Sequence, residues 1–120
     1  MTVQFKSPVS TGSIEGILDI DFDYLTVEFE EPRFLRKHRT AQVRIPLDDI
    51  DFIRYVGLPF RARLELRALY LESLQRLPWA KALTANFIVP RAERSRAIEL
   101  ANRFDDYIHE DVEPESGNNI

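Results

Sequence analysis

One stretch near the end of the chain sets the terms for everything before it. From Pro90 to His109 apolar residues recur at helical spacing: Ala97, Ala101, Phe104 and Ile108 step by four, three and four, with Leu100 and Tyr107 beside them. At about 100° per residue these positions fill an arc of roughly 120°, the width of a stripe that faces a core. Arg96, Glu99, Asn102, Arg103 and Asp106 take the opposite side. Pro90 fits at the start, where its missing N–H costs no hydrogen bond. A helix with one apolar stripe must lay it on another element, and no other stretch sustains the helical period. The surface has to come from strands.

Period-two alternation supplies them. Ile14, Gly16, Leu18, Ile20 and Phe22 are expected to face inward, against Glu15, Ile17, Asp19 and Asp21. Asp23-Tyr24 turns the chain, and Leu25, Val27 and Phe29 form the inner face of a second strand. Glu31 to Thr40 breaks the period and reads as a loop. Ala41 to Pro46 resumes it, with Val43, Ile45 and Leu47 inward and Pro46 marking a strand end or edge. After the corner Leu47-Asp48-Asp49-Ile50 comes Asp51 to Val56, apolar on both faces, so its inside cannot be assigned from pattern. Gly57-Leu58-Pro59 is the next turn. Then Leu64, Leu66, Ala68 and Tyr70 alternate with Arg63, Glu65 and Arg67. Residues 71–82 read either as a short helical turn through Leu71, Leu74 and Leu77 or as a strand continuing to Leu74. Leu83, Ala85, Phe87 and Val89 are the inner face of the last strand. Trp79, after Pro78, is expected to close a barrel end.

Six or seven antiparallel strands with short connections, followed by one helix, predict a mainly β fold: a hairpin meander bent into a barrel and capped by the helix. Residues 1–13 lack a clear period, with at most a short strand at Val3 to Phe5, and are expected to be a flexible arm. The domain is assigned to 14–109. Residues 110–120 are acidic, contain Pro and Gly, and are expected to be a disordered tail.

Composition narrows the function classes. The chain has 120 residues and no cysteine, which excludes disulfides and thiolate metal sites. No apolar run approaches the roughly 18 residues of a membrane span. Met1 to Gly12 lacks the apolar core of a signal peptide, so a cytoplasmic location is expected. The net charge of −4 argues against nucleic-acid binding. That charge is unevenly spread: residues 15–31 hold seven acids and no base, and residues 33–96 hold fourteen bases and six acids. Residues 97–120 return to seven acids against Arg103.

Two passages carry a family resemblance. One is Val43-Arg44-Ile45-Pro46-Leu47-Asp48-Asp49-Ile50, a strand running into an acidic corner. The other is Phe87-Ile88-Val89-Pro90-Arg91-Ala92-Glu93-Arg94, a last strand feeding a helix with Arg near its start. With the strand order around them, residues 14–109 resemble the small bacterial members of the pleckstrin-homology-like superfamily. The resemblance implies a bent seven-stranded barrel with a C-terminal helix, and a scaffold that binds lipids, peptides or proteins rather than an enzyme. Lipid-binding members carry bases on the first hairpin. Here that hairpin, Phe22-Asp23-Tyr24, is short and acidic, which weighs against a headgroup site.

Candidate sites divide into three. Asp19 and Asp21 share one strand face about 7 Å apart, a spacing suited to metal ions. Gly12-Ser13 before them even resembles a nucleotidyltransferase signature. That family needs a helix between the two, and five residues cannot form one, so a metal-dependent enzyme is the disfavoured alternative. Asp48, Asp49 and Asp51 read as turn formers, and His38 and His109 have no catalytic partner by sequence. The second candidate is the loop bearing Arg33, Arg36, Lys37, His38 and Arg39 around Phe34-Leu35, a possible seat for an anionic ligand or anionic membrane. The third is the helix, whose charges oppose its dipole: Arg91, Arg94 and Arg96 at its start, Asp105, Asp106, Glu110 and Asp111 towards its end. Each misplacement costs only about 0.3–1 kcal/mol, yet helix stability does not account for the pattern. Ion pairs with strands, with a protein partner or with a second copy in a two-fold homodimer would. The reading is therefore a non-enzymatic binding or assembly module without metal or cofactor.

The basic loop generates the first prediction. Bases near an anionic surface contribute about 1 kcal/mol each, and the neighbouring acids compete for them. Sedimentation with anionic vesicles should show weak, salt-sensitive binding without headgroup preference. Replacing Arg33, Arg36, Lys37 and Arg39 by Ser should reduce it. Tight binding selective for one phosphoinositide contradicts this.

Overall fold

Val3, Phe5 and Ser7 alternate with Thr2, Gln4 and Lys6, and the first three are buried. They belong to β1 (Thr2–Val9), the middle strand of the whole sheet. The computed structural model of the chain describes residues 2–9, 12–30, 40–59 and 61–118, the last nine of these as backbone only. The other strands are β2 (Gly12–Asp21), β3 (Tyr24–Glu30), β4 (Thr40–Pro46), β5 (Ile50–Gly57), β6 (Ala62–Ala68) and β7 (Thr84–Val89). They lie in the order β4-β3-β2-β1-β7-β6-β5, all neighbours antiparallel. The fold is thus mainly β, with seven antiparallel strands in one sheet and a single C-terminal helix among the described residues.

The arm expected over residues 1–13 is replaced by this strand. Ser7 and Pro8 interrupt the apolar pattern and read as loop. Ser7 is nevertheless fully buried, because its hydroxyl donates to the Asn86 carbonyl at 2.8 Å across the β1–β7 seam. A buried hydroxyl with a partner behaves as a core residue. β1 pairs with β2 from Thr2↔Asp19 to Val9↔Gly12, but meets β7 in register at Lys6↔Ile88 alone. Beyond that point the two strands part and the sheet bends.

Gly16 permits the tightest packing in the bend. It lies opposite Phe5 on one side and Phe29 on the other. A Cβ there would run into the Glu28 carbonyl oxygen and come within 2.8 Å of the Phe5 ring. The space is taken by aromatics: Phe5 meets Phe87 edge-on at 4.9 Å between centroids, and Trp79 sits 5.4 Å from Phe5 and 5.0 Å from Phe29. Trp79 is buried, as expected for a residue closing the barrel. It arrives from a connection that holds a 3-10 turn, Leu71–Leu74, with Leu74 and Leu77 buried. The helical-turn reading of residues 71–82 is the correct one.

Two residues expected inside are outside. Phe22 is 87% exposed at φ +56°, because Asp21↔Tyr24 closes the β2–β3 ladder and leaves Phe22-Asp23 as the turn. Tyr70 is exposed because β6 ends at Ala68.

The sheet stays open between β4 and β5. They are joined by a 3-10 turn, Leu47–Asp49, stitched to both sides by backbone bonds. Leu47 N–H donates to the Asp23 carbonyl, and Leu69 N–H donates to the Asp49 carbonyl, each at 2.8 Å. The C-terminal helix begins with a 3-10 turn, Arg91–Glu93, and continues as α1 (Arg94–Asn118). Ala97, Leu100, Ala101 and Phe104 are buried, and Tyr107 and Ile108 pack beside them, as the stripe predicts. The helix lies mainly on β5 and reaches β1, β2 and β6. Glu93 anchors its start: the buried carboxylate accepts the Gln4 N–H at 3.1 Å, where β1 has left β7. The tail expected to be disordered from residue 110 is helical in backbone to Asn118. Extending a helix already held by packing costs far less than starting one.

Gly16→Ala should destabilise by about 2–3 kcal/mol, since a backbone carbonyl cannot yield to the added methyl. Trp79→Ala should cost about 3–5 kcal/mol. Phe22→Asn should instead stabilise by about 1 kcal/mol, by relieving the positive φ. Urea unfolding followed by circular dichroism measures all three, and equal losses at Gly16 and Phe22 would contradict this packing.

Candidate binding groove at the open strand edge

The residues singled out by sequence do not meet in one place. Arg33, Arg36, Lys37 and Arg39 lie outside the described residues, between Glu30 and Thr40, which pair at the far end of β3 and β4. On the helix, the Arg94 guanidinium donates to the Leu58 carbonyl at 3.3 Å, and Arg96 pairs with Glu93 at 3.7 Å. Arg91, Asp105 and Asp106 are exposed and have no ion pair among the described residues. Tyr107 donates its hydroxyl to Asp48 at 3.0 Å. With Arg94 at the end of β5 and Tyr107 near its beginning, α1 runs antiparallel to that strand. The reversed charges therefore follow the barrel: bases sit by the β5–β6 turn and acids by the Asp48 corner.

The outer face of β1 to β4 carries Asp19 and Asp21. They line a shallow concavity of about 410 Å³ with Thr2, Ile17, Thr26, Glu28, Gln42 and Arg44. Register sets Thr26 between Asp19 and Arg44. Glu28 accepts from the Gln42 amide at 2.9 Å, and Arg44 stacks on Tyr24 at 4.2 Å. Asp23 sits in the turn, off the strand. No three metal-ligating side chains converge among the described residues.

A second concavity lies along β5. A bulge at Asp51 shifts the register between Ile50 and Phe52. It leaves Ile53 buried, Tyr55 half-buried and Phe52 and Val56 on the outer face, which is why this segment is apolar on both sides. Phe52, Ile53, Arg54 and Tyr55 line a groove of about 570 Å³ with Ile98, Ala101, Asn102 and Asp105 of α1. Successive strand residues point to opposite faces. Four in a row can line one groove only if it follows the strand's edge. The helical contributors fall at positions i, i+3, i+4 and i+7, one stripe along α1.

Among the described residues β5 is paired to β6 alone, and that edge is free of them. In an antiparallel ladder alternate residues turn N–H and C=O towards one neighbour and the rest away from it. The outward set here belongs to the strand that lines the groove. Ile98 is 42% exposed and stands beside the core stripe rather than in it. Arg54 is held at the rim, 4.7 Å above the Phe52 ring and 2.7 Å from Glu65. The arrangement offers main-chain hydrogen bonds, an apolar seat and a few polar ends, the chemistry of holding an extended chain. Sequence reading missed it, although the two-faced pattern of residues 51–56 was its trace.

No helix among the described residues is long and apolar enough to cross a membrane. Comparison of the chain with protein-family models, with curated proteins and with solved structures found no match.

Proposed function

We propose that this protein is a non-enzymatic binding module on a pleckstrin-homology-like scaffold, and that it takes an extended peptide segment as an added strand on β5. The free edge of β5 facing a partly apolar helix stripe carries this reading. Strand addition satisfies backbone groups that water otherwise solvates, and alternate side chains of the guest enter the apolar seat. Phe52, Ile98 and Ala101 supply that seat. The helix wall selects the guest's form. With α1 standing alongside, a single extended chain fits beside β5, whereas the edge of another folded sheet would strike the helix. Binding an isolated segment also accounts for an exposed Ile98 on a helix whose core stripe is complete without it.

Peptides selected from a random display library should bind the full chain with micromolar affinity and slow amide exchange in β5. Ile98→Asp and Phe52→Asp should each weaken them by at least about tenfold, or ~1.4 kcal/mol, with unchanged circular dichroism. Arg76→Ala, at an exposed position of the 69–83 connection, should leave affinity unaltered. Selected peptides that protect strands other than β5, or that ignore both substitutions, would refute the proposal.

A further inference from the structure

A second surface lies at the corner where β4 turns into β5. Phe22 is 87% exposed, and Leu69, Tyr70 and Leu71 are 49%, 51% and 58% exposed. Backbone bonds draw them to one corner. The Asp23 carbonyl holds Leu47, one 3-10 turn leads to Asp49, and the Asp49 carbonyl holds Leu69. Single exposed apolar residues need no explanation, but a set gathered at one place does. Phe22 adds a second reason. Its φ of +56° falls at a turn position suited to Gly or Asn, so the fold itself does not call for a Phe there.

The corner is also acidic. Asp21, Asp23, Asp48, Asp49, Asp51 and Glu72 surround the apolar residues, and only Asp51 has an ion-pair partner among the described residues, Arg67 at 3.7 Å. An apolar seat ringed by carboxylates fits an apolar segment flanked by bases. The chain contains one: Arg33-Phe34-Leu35-Arg36-Lys37-His38-Arg39.

We infer that the corner docks residues 31–39 of a second copy of this chain, giving head-to-tail assembly. Within one molecule the reach is too short. Glu30 and Thr40 are paired, at the opposite end of β3 from Tyr24. A segment of this length returning on itself extends roughly 17 Å at ~3.5 Å per residue. The length of β3 is about 20 Å at ~3.3 Å per residue, and Phe22 and Leu69 to Leu71 lie beyond its end. The contact therefore comes from another molecule. It joins two different patches, so it is heterologous and leaves each dimer with one free corner and one free loop. The ring of acids disfavours an anionic membrane as the occupant.

Sedimentation velocity of the full chain at low salt should show mass rising with concentration and falling with added salt. Two variants separate the halves of the contact: Arg33→Glu, Arg36→Glu, Lys37→Glu, Arg39→Glu keeps the corner, and Phe22→Ser, Leu71→Ser keeps the loop. Each alone should be monomeric with wild-type circular dichroism. Mixed in equal amounts they should form a dimer that grows no further, because each supplies the half the other lacks. A wild-type monomer at all concentrations, or a mixture that stays monomeric, would overturn the inference. So would wild-type binding to phosphatidylcholine vesicles that Phe22→Ser, Leu71→Ser abolishes, which would make the corner a membrane wedge. The groove along β5 is untouched by these variants, so failure here is separate from failure of peptide binding.

Discussion

The structure depends on how β1 divides its two edges. One edge makes a full ladder with β2, and the other meets β7 in register at one point, Lys6↔Ile88. A full second ladder would hold the seven strands in a more even sheet, with little to bring the two meanders face to face. Releasing it lets the sheet bend, and the groups left behind are satisfied locally. Ser7 bonds the Asn86 carbonyl, and Glu93 receives the Gln4 N–H. The second of these is the more consequential, because it fixes the direction in which the helix leaves the barrel. A buried carboxylate is costly unless it is hydrogen-bonded, and Glu93 meets that condition only where β1 has parted from β7.

The remaining features follow from the bend. With the helix directed along β5, its apolar stripe covers the barrel interior while its flank stands beside the strand's free edge. An open edge invites pairing with another chain. Here α1 and Arg54 stand beside that edge. Closing the sheet between β4 and β5 would remove both the groove and the corner. The opening is thus the source of both candidate contact surfaces.

Charge is distributed along the same geometry. Arg91, Arg94 and Arg96 gather by the β5–β6 turn, and Asp105, Asp106, Asp48 and Asp49 gather towards the opposite end of β5. Read along the helix alone, this order opposes the dipole and costs stability. Read on the barrel, it gives the molecule a basic and an acidic region on one flank. Long-range fields of this kind orient approaching partners more than they strengthen contacts.

What sequence by itself determined is whatever depends on local period. Alternation placed the inner residues of β3, β4, β6 and β7, the 4-3-4 spacing placed the buried stripe of α1, and Trp79 was recognised as a closure. Each of these follows from one segment having one buried side. Tertiary structure decided the rest. β1 was illegible because Ser7, a polar residue, is buried by a partner 79 positions away. Phe22 and Tyr70 kept the alternation of their strands on paper, but the ladders end before they are reached. The groove depends on which strand edge remains unpaired and on which element lies beside it. Both are relations between distant segments, and no local pattern encodes them.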